Sequence, residues 1–450
     1  MRTNKTGHAT ISYKSSCRGF LLQFIFAVLA CAGSIGCQGE GSPGPILFSP
    51  DGSIVAHTYV KRIDLPIPPE VPTLYSTVYL QWYHADQLKI PQSIKIDSYG
   101  KAYGSFVQGQ FRLLYSPDSR HIAVKSPRYL EVVDLETKKR HRLTGPDELV
   151  SSMGWLGNTE MVYVIYRESE TKKHSYGRSR QIYRHPIADL PEKRQLLYEQ
   201  NDYRGNYHDY VSPTGEYVVF MSQGYSDGLF YLLNIQTMKV TPLNDKTAKC
   251  QGVSWKPDGS SVFLLSGKEA LLHYPKEGRT KDISDDYDNT FRLHLEYAPS
   301  IDNLWTPDSE YIVINSSKTG GCLVRPDPWR VVPIGKRLVK YLEDVKHRRI
   351  YRNPLSPDSY PYLFVQSYPG WVRLWIQLVT DKKPYLPGQT VVLEAQNYLV
   401  DYEGKQILSM KPSDSPGGAW ALTPDGKKMV YFNRSIFLDE KPVSLPENTE

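Results

Sequence analysis

Trp255-Lys256-Pro257-Asp258-Gly259-Ser260-Ser261-Val262-Phe263-Leu264-Leu265 decides the fold. Pro257 presets φ for the second position of a β-turn, Asp258 can bond the turn's own backbone, and Gly259 tolerates the exit geometry. Such a turn joins two antiparallel strands. Val262 to Leu265 is a short, unbroken apolar run of strand formers, which suits a strand buried on both faces.

The unit recurs along the chain. Its copies begin at Ser49, Ser116, Ser212, Lys256, Thr306, Ser356 and Thr423, at steps of 67, 96, 44, 50, 50 and 67 residues. Their turn residues are Pro50-Asp51, Pro117-Asp118, Pro213-Thr214, Pro257-Asp258, Pro307-Asp308, Pro357-Asp358 and Pro424-Asp425. The 96-residue step is too long for one unit. Inside it Trp155-Leu156-Gly157-Asn158-Thr159-Glu160, followed by Met161-Val162-Tyr163-Val164-Ile165, reads as a copy without the proline. Eight candidate units, each of several strands at a period of roughly 40–50 residues, predict an all-β fold, a β-propeller of seven or eight four-stranded antiparallel blades. Seven holds if the Ser356 unit belongs to the Thr423 blade.

The S-P-D-G-x-x-[IV] unit resembles the WD40-like (PD40) repeat of TolB-type propellers, which also occurs in the propellers of prolyl-oligopeptidase-type peptidases. The resemblance spans about residues 45–446. It implies a fold far more strongly than an activity, because such folds host many chemistries. The Gly-His and Trp-Asp signatures of true WD40 repeats are absent.

Residues 1–18 carry Arg2, Lys5, Lys14 and Arg18 and no acid, and Gly19 to Gly36 is almost wholly apolar or small. A basic segment followed by an apolar one reads as an export signal over residues 1–36. Ser34-Ile35-Gly36-Cys37 resembles a bacterial lipobox, which implies lipid on the Cys37 thiol. Cys31, after Val28-Leu29-Ala30, is the alternative. An ordinary cleaved signal and an uncleaved anchor remain open. Residues 37–45 then form a flexible tether and residues 46–446 the propeller, with enlarged loops near 61–108, 166–181 and 370–400, within which Thr77 to Trp82, Trp371 to Val379 and Thr390 to Ala395 read as strands. The expected location is the cell envelope, with the domain periplasmic and held to the membrane by lipid.

The whole chain has 54 basic and 48 acidic residues, net +6. The signal holds four of the basic residues and none of the acidic ones, so residues 38–450 carry 50 against 48. That near-neutral balance, with no sustained basic stripe, excludes a nucleic-acid partner. Lys346-His347-Arg348-Arg349 reads as a solvated loop. Cys250 and Cys322 lie in the domain and can pair in an oxidising compartment, two ordinary thiols being the simpler reading. No Cys/His spacing resembles a zinc site.

Gly224-Tyr225-Ser226-Asp227-Gly228 matches the G-x-S-x-G nucleophile elbow, but that elbow needs a helix behind it. Strand-like sequence flanks both sides here, so the match reads as a hairpin loop. Asp282, Asp285, Asp286 and Asp288 lack the spacing of an EF-hand and read as a solvated loop. The ligand-facing candidates are Asp202, Tyr203, Arg204, Tyr207, His208 and Asp209, polar and aromatic groups just before a first strand. No catalytic residue, metal ligand or cofactor stands out, although His208 and His294 could contribute to a channel metal. Trp155, Trp255, Trp305 and Trp420 stand at equivalent places before the turn, which argues for packing between blades. The expectation is a non-enzymatic protein-binding or scaffold module with an envelope protein partner, a glycan or peptide ligand being possible. The alternative is a propeller enzyme, of glycan lyase or hydrolase type, with a metal in the central channel.

Overall fold

The computed structural model describes residues 43–63, 75–84, 92–99, 111–146, 148–168, 178–189, 193–203, 209–221, 229–244, 250–266, 269–284, 305–316, 320–346, 349–350, 364–368, 370–379, 393–410, 420–422, 428–431, 434–437 and 443–444. The signal, both lipobox cysteines, Arg204, Tyr207, His208, the Ser226 loop, Asp285 to Asp288, and the Pro357-Asp358 and Pro424-Asp425 turns lie outside them.

Five four-stranded antiparallel sheets follow one another along residues 43–99, 112–142, 149–203, 209–242 and 250–282, each a simple meander. The sixth sheet pairs Ile312–Ser316, Gly320–Pro326 and Trp329–Val332, with a single bridge from Trp305 to Ile312 in place of a first strand. The seventh is built on Phe364–Tyr368, Trp371–Val379, Leu393–Asp401 and Gln406–Met410, and the short strands Arg349–Ile350 and Val443–Ser444 join it. The eighth holds Trp420–Leu422, Lys428–Tyr431 and Arg434–Phe437. First strands of successive sheets lie side by side: Leu149–Leu156 against Asp209–Val211, that strand against Cys250–Trp255, and Pro43–Phe48 of the first sheet against Trp420–Leu422 of the last. This is the arrangement of a β-propeller.

The burial pattern explains why the sheets stack. Val262, Phe263, Leu264 and Leu265 are all 2% exposed or less. Alternate side chains of a strand point to opposite faces. Val262 and Leu264 accordingly pack with Val219 and Leu232 of the fourth sheet, and Phe263 and Leu265 with Trp305 and Val324 of the sixth. Apolar clusters fill the space between sheets one and two, two and three, three and four, four and five, five and six, and six and seven. The core is therefore a series of layers between blades, which lets a chain of this length fold without one oversized interior.

The repeated turn is stapled by its own side chains. The Ser49, Ser116 and Thr306 hydroxyls donate to Asp51, Asp118 and Asp308 at 2.6, 2.6 and 2.5 Å. The same oxygens accept the backbone N–H five residues on, at 2.9, 2.9 and 3.0 Å. The fourth turn residue has positive φ throughout: Gly52, Ser119, Gly215, Gly259 and Ser309 lie between 62° and 73°. Trp155, Trp255 and Trp305 do pack between blades. Each indole N–H also donates to a carbonyl of the preceding first strand, on Leu114, Tyr210 and Ser254, at 3.2, 2.9 and 3.2 Å.

The structure extends the sequence reading in three places. Residues 61–108 carry regular strands, the end of Ile54–Ile63 and then Tyr75–His84 and Gln92–Tyr99, which complete the first sheet. Strongly alternating sequence such as Tyr75-Ser76-Thr77-Val78-Tyr79-Leu80 outweighs the prolines between the strands. Within 370–400 the expected strand Trp371–Val379 is present and pairs along its full length with Leu393–Asp401, which runs further along the chain than the expected Thr390 to Ala395. A helix, Ile334–Lys340, and a π-helical turn, Tyr341–Val345, follow the sixth sheet. Ile334, Leu338, Val339 and Leu342 bury one face of it against the seventh. Cys322 is buried between the fifth and sixth sheets. Among the described residues, no helix is long and apolar enough to cross a membrane.

Candidate functional site at the loop-bearing end of the ring

Each first strand runs toward its Ser-Pro-Asp-Gly turn, so its start and the end of the second strand lie at the opposite end of the ring. The segments 169–177, 204–208 and 222–228 all spring from that end in sheets three and four. Long connections on a rigid scaffold are where binding groups gather.

The roots of these three segments meet on one side chain. Arg180 is completely buried, as is the carboxylate of Asp209, and its Nε lies 2.9 Å from Asp209 Oδ1. Nε also donates to the Tyr166 hydroxyl at 3.1 Å. Nη1 donates to Gln200 Oε1 at 2.8 Å and to the Met221 carbonyl at 2.5 Å. Tyr166 in turn donates to Asp209 Oδ2, and Ser151 donates to the same oxygen at 2.9 Å. Phe220 lies under the guanidinium at 5.3 Å. Tyr166 and Arg180 bracket 169–177, Asp209 follows 204–208 directly, and Met221 immediately precedes 222–228. Asp209, read as ligand-facing, is thus an interior member of this clamp. Asp202 and Tyr203 end the strand Gln195–Tyr203.

Two cations stand at the same end of the second sheet. Arg112 opens its first strand and pairs across the ladder with Lys125, the last residue of its second. Lys125 Nζ donates to the Ser151 carbonyl of the third sheet at 3.0 Å. Burial, helped by the Arg112 charge, holds the Lys125 ammonium down at about 8. Burial also pushes the Arg112 guanidinium below its ordinary value, against the pull of Tyr210 on the fourth sheet. Arg112 keeps solvent-accessible surface.

A third charged group is structural. Glu148 accepts two bonds from Arg194 at 2.6 Å each, a further one from Arg167, and the Gly145 N–H at 3.0 Å. Burial opposes its ionisation, but the bonds from Arg194 and Arg167 outweigh it and hold the carboxyl at about 2.

Other sequence candidates resolve simply. The strands Tyr217–Met221 and Phe230–Asn234, on either side of the Gly224–Gly228 match, pair with Met221 opposite Phe230. Asp282 Oδ1 accepts the N–H of Ser284 at 2.9 Å, and Ser284 Oγ accepts the Ala270 N–H at 3.0 Å. Thr144 and Asn244 make the same closing bond to Leu130 and Phe230, at 2.7 Å each. Among the described residues no three His, Cys, Asp or Glu side chains gather as a metal site. The Arg180 clamp and the Arg112–Lys125 pair escape sequence reading, since their members are contributed by different strands and sheets.

No known family profile matches the chain, and no curated protein matches it. Among solved structures it is similar to an acylaminoacyl peptidase of Pyrococcus horikoshii in an orthorhombic crystal form, with 13% identity and a TM-score of 0.44 over 83% of this chain and 52% of that one. An acylaminoacyl peptidase in complex with Z-Gly-Gly-Phe-chloromethyl ketone gives 13% and 0.44, over 83% and 53%. The uncomplexed Pyrococcus horikoshii enzyme gives 13% and 0.41, over 80% and 51%. The chain spans about half the length of these structures. These neighbours are named as peptidases, against the expectation of a non-enzymatic protein-binding or scaffold module. At this distance no activity is carried from them to this chain.

Proposed function

We propose that this chain is a propeller enzyme of the hydrolase type, and that its substrate meets it at the loop-bearing end of the ring. The observation that carries the reading is Arg180. Two blades can be held together by apolar side chains at least as well as by a buried ion pair, because desolvation offsets most of the Coulomb gain. A buried charge network with several directional bonds instead fixes geometry. Here it fixes the roots of 169–177, 204–208 and 222–228 together, which is what a reacting site built on loops requires. Lys125, its ammonium held down at about 8 by burial at the same end, belongs to the class of perturbed groups that cluster at functional sites.

The remaining features of the proposal are eight blades, one per sheet, of TolB-type PD40 repeats, exported and tethered through lipid on Cys37. The eight successive sheets and the recurring Ser-Pro-Asp-Gly turns support the first two. The lipobox-like Ser34-Ile35-Gly36-Cys37 supports the third. Asp202 and Tyr203, which end the Gln195–Tyr203 strand, and Arg204, Tyr207 and His208, between that strand and Asp209, are proposed to contact the substrate.

The test is hydrolysis by the purified protein, offered a fluorogenic peptide library and a panel of glycans, with metal-depleted and metal-supplemented arms. Turnover of one substrate class supports the reading. A folded protein that turns over neither class, with or without metal, sinks it.

A further inference from the structure

We infer that the short tether between Cys37 and the first strand holds the loop-bearing end of the ring against the membrane that carries the lipid. The inference deepens the proposed function by naming where its substrate is held, and it rests on that reading only for this consequence. The orientation itself rests on the proposed anchor at Cys37 and on the course of the first sheet.

Pro43 opens the first strand of the first sheet, Pro43–Phe48. That strand runs toward the Ser49-Pro50-Asp51-Gly52 turn, so Pro43 stands at the loop-bearing end. Six residue steps separate it from Cys37. A fully extended chain covers about 3.3–3.6 Å per residue, so the lipidated residue lies within about 20 Å of Pro43. An uncleaved anchor ending at Gly36 adds one step and gives nearly the same reach.

That reach decides which surface can meet lipid. The second and third strands run past Pro43 at the same end. Pro43 pairs with Tyr59, and four further pairs lie beyond it, Val60–Val78, Lys61–Thr77, Arg62–Ser76 and Ile63–Tyr75. At about 3.3 Å per residue they project about 13 Å beyond Pro43. A straight tether therefore carries Cys37 only about 7 Å past the tip of this ladder, which comes to the headgroup layer with it. Lys61 and Arg62 fall in the ladder's last rows, and anionic lipid attracts basic residues close to its surface. The turn end is out of reach. Doubling back along the six-residue first strand consumes about 17 Å of tether before the Ser49 turn is passed. A tether running sideways crosses three strand spacings of about 4.8 Å each to the outer strand, Gln92–Tyr99, and brings only one blade's rim to the membrane. The end-on course follows the direction in which the ladder already projects. It turns the roots of 169–177, 204–208 and 222–228 toward the lipid together, and with them the site that Arg180 organises. The substrate of that site is then a peptide or glycan chain held at the membrane surface.

The experiment uses the full chain, matured in cells and placed in lipid nanodiscs of phosphatidylethanolamine and phosphatidylglycerol. Reporter thiols are introduced one at a time as Leu149→Cys, at the loop-bearing start of a first strand, Asp258→Cys, in a turn, and Lys95→Cys, on the outer strand of the first sheet. All three positions are exposed. Cys250→Ser removes one thiol of the domain, and Cys322 is buried and stays. A bulky polyethylene-glycol maleimide is offered before and after detergent dissolves the discs. Leu149→Cys should react several-fold more slowly in discs than in detergent, while Asp258→Cys and Lys95→Cys keep one rate in both. Twenty Gly/Ser residues inserted after Gly39 add a root-mean-square reach of about 25 Å and should abolish the slowing at Leu149→Cys. Equal rates at Leu149→Cys in discs and detergent, slowing at Asp258→Cys or Lys95→Cys instead, slowing that survives the longer tether, or a mature chain that begins at Cys31 would each overturn the inference. Hydrolysis without this protection removes the orientation and leaves the hydrolase reading intact. Protection without hydrolysis does the reverse.

Discussion

Replacing Arg180 with methionine keeps most of the side-chain volume and removes the charge. In the wild type that guanidinium meets the Asp209 carboxylate at 2.9 Å, the Tyr166 hydroxyl at 3.1 Å, the Gln200 amide oxygen at 2.8 Å and the Met221 carbonyl at 2.5 Å. The variant leaves a buried carboxylate with only its Tyr166 and Ser151 donors, and two neutral acceptors without the arginine. Breaking a buried pair from one side costs about 3–5 kcal/mol. The two stranded acceptors place Arg180→Met at the upper end, about 4–5 kcal/mol. Adding Asp209→Leu removes the uncompensated charge, and the double variant should return to within about 1 kcal/mol of the wild type. Urea unfolding of the four corners of this cycle, with hydrogen exchange on residues 169–177, 204–208 and 222–228, measures both effects. The double variant should recover stability while exchange in those segments stays faster than in the wild type. A single variant costing less than about 1 kcal/mol, or a double variant with wild-type exchange in all three segments, refutes the clamp.

Three further outcomes are expected. Gly215→Ala should be far costlier than Gly157→Ala. Both glycines have positive φ, 66° and 64°, but a Cβ at Gly215 would sit 2.6 Å from the Trp155 carbonyl oxygen, whereas nothing lies within 4 Å at Gly157. The backbone penalty alone is about 1–2 kcal/mol, and thermal unfolding of the two variants isolates the steric excess. Trp155→Phe should cost about 1 kcal/mol, for the lost bond to the Leu114 carbonyl, and Trp155→Ala about 3–5 kcal/mol, read from urea midpoints. Stability should fall in acid through Glu148. Its folded value, about 2, lies below its ordinary 4.5, so the unfolded state binds more protons between the two. The contribution, of order 2–3 kcal/mol, is complete above about pH 5 and lost by about pH 2; Glu148→Gln should flatten that part of the stability–pH curve.

How much the sequence discloses depends on distance along the chain. The Ser-Pro-Asp-Gly turn is legible because its bonds close within five residues, as Ser116 shows by holding Asp118 and the His121 N–H. A second local signature is equally present. Asp134 and Asn234 accept the N–H groups two and three residues on, and Lys138 and Met238 follow at positive φ. Asp-x-x-Thr-x-Lys and Asn-x-x-Thr-x-Lys mark this outer turn. The alternation of Val262 and Leu264 against Phe263 and Leu265 is visible as an apolar run, but its partners two sheets apart are not. The clamp draws on Ser151, Tyr166, Arg180, Gln200, Asp209 and Met221, which only the register of two sheets brings together. Asp209 therefore reads, in isolation, like the rest of its polar segment. The Arg112–Lys125 opposition likewise needs the register, since thirteen residues and a turn separate the two.

The anchor has its own check: Cys37→Ser should release the protein from the membrane fraction, and the mature wild-type mass should carry acyl chains on a chain beginning at Cys37.

In the proposed hydrolase, Arg180 positions the reacting site. The most direct measurement is the initial rate of hydrolysis, on whichever substrate class the wild type turns over, for the Arg180→Met/Asp209→Leu protein. That variant should be as stable as the wild type, and misplacing its loop roots by about 1 Å should lower the rate by about a hundredfold. A stable double variant with an undiminished rate would contradict the claim, as would a wild type with no hydrolysis to lose.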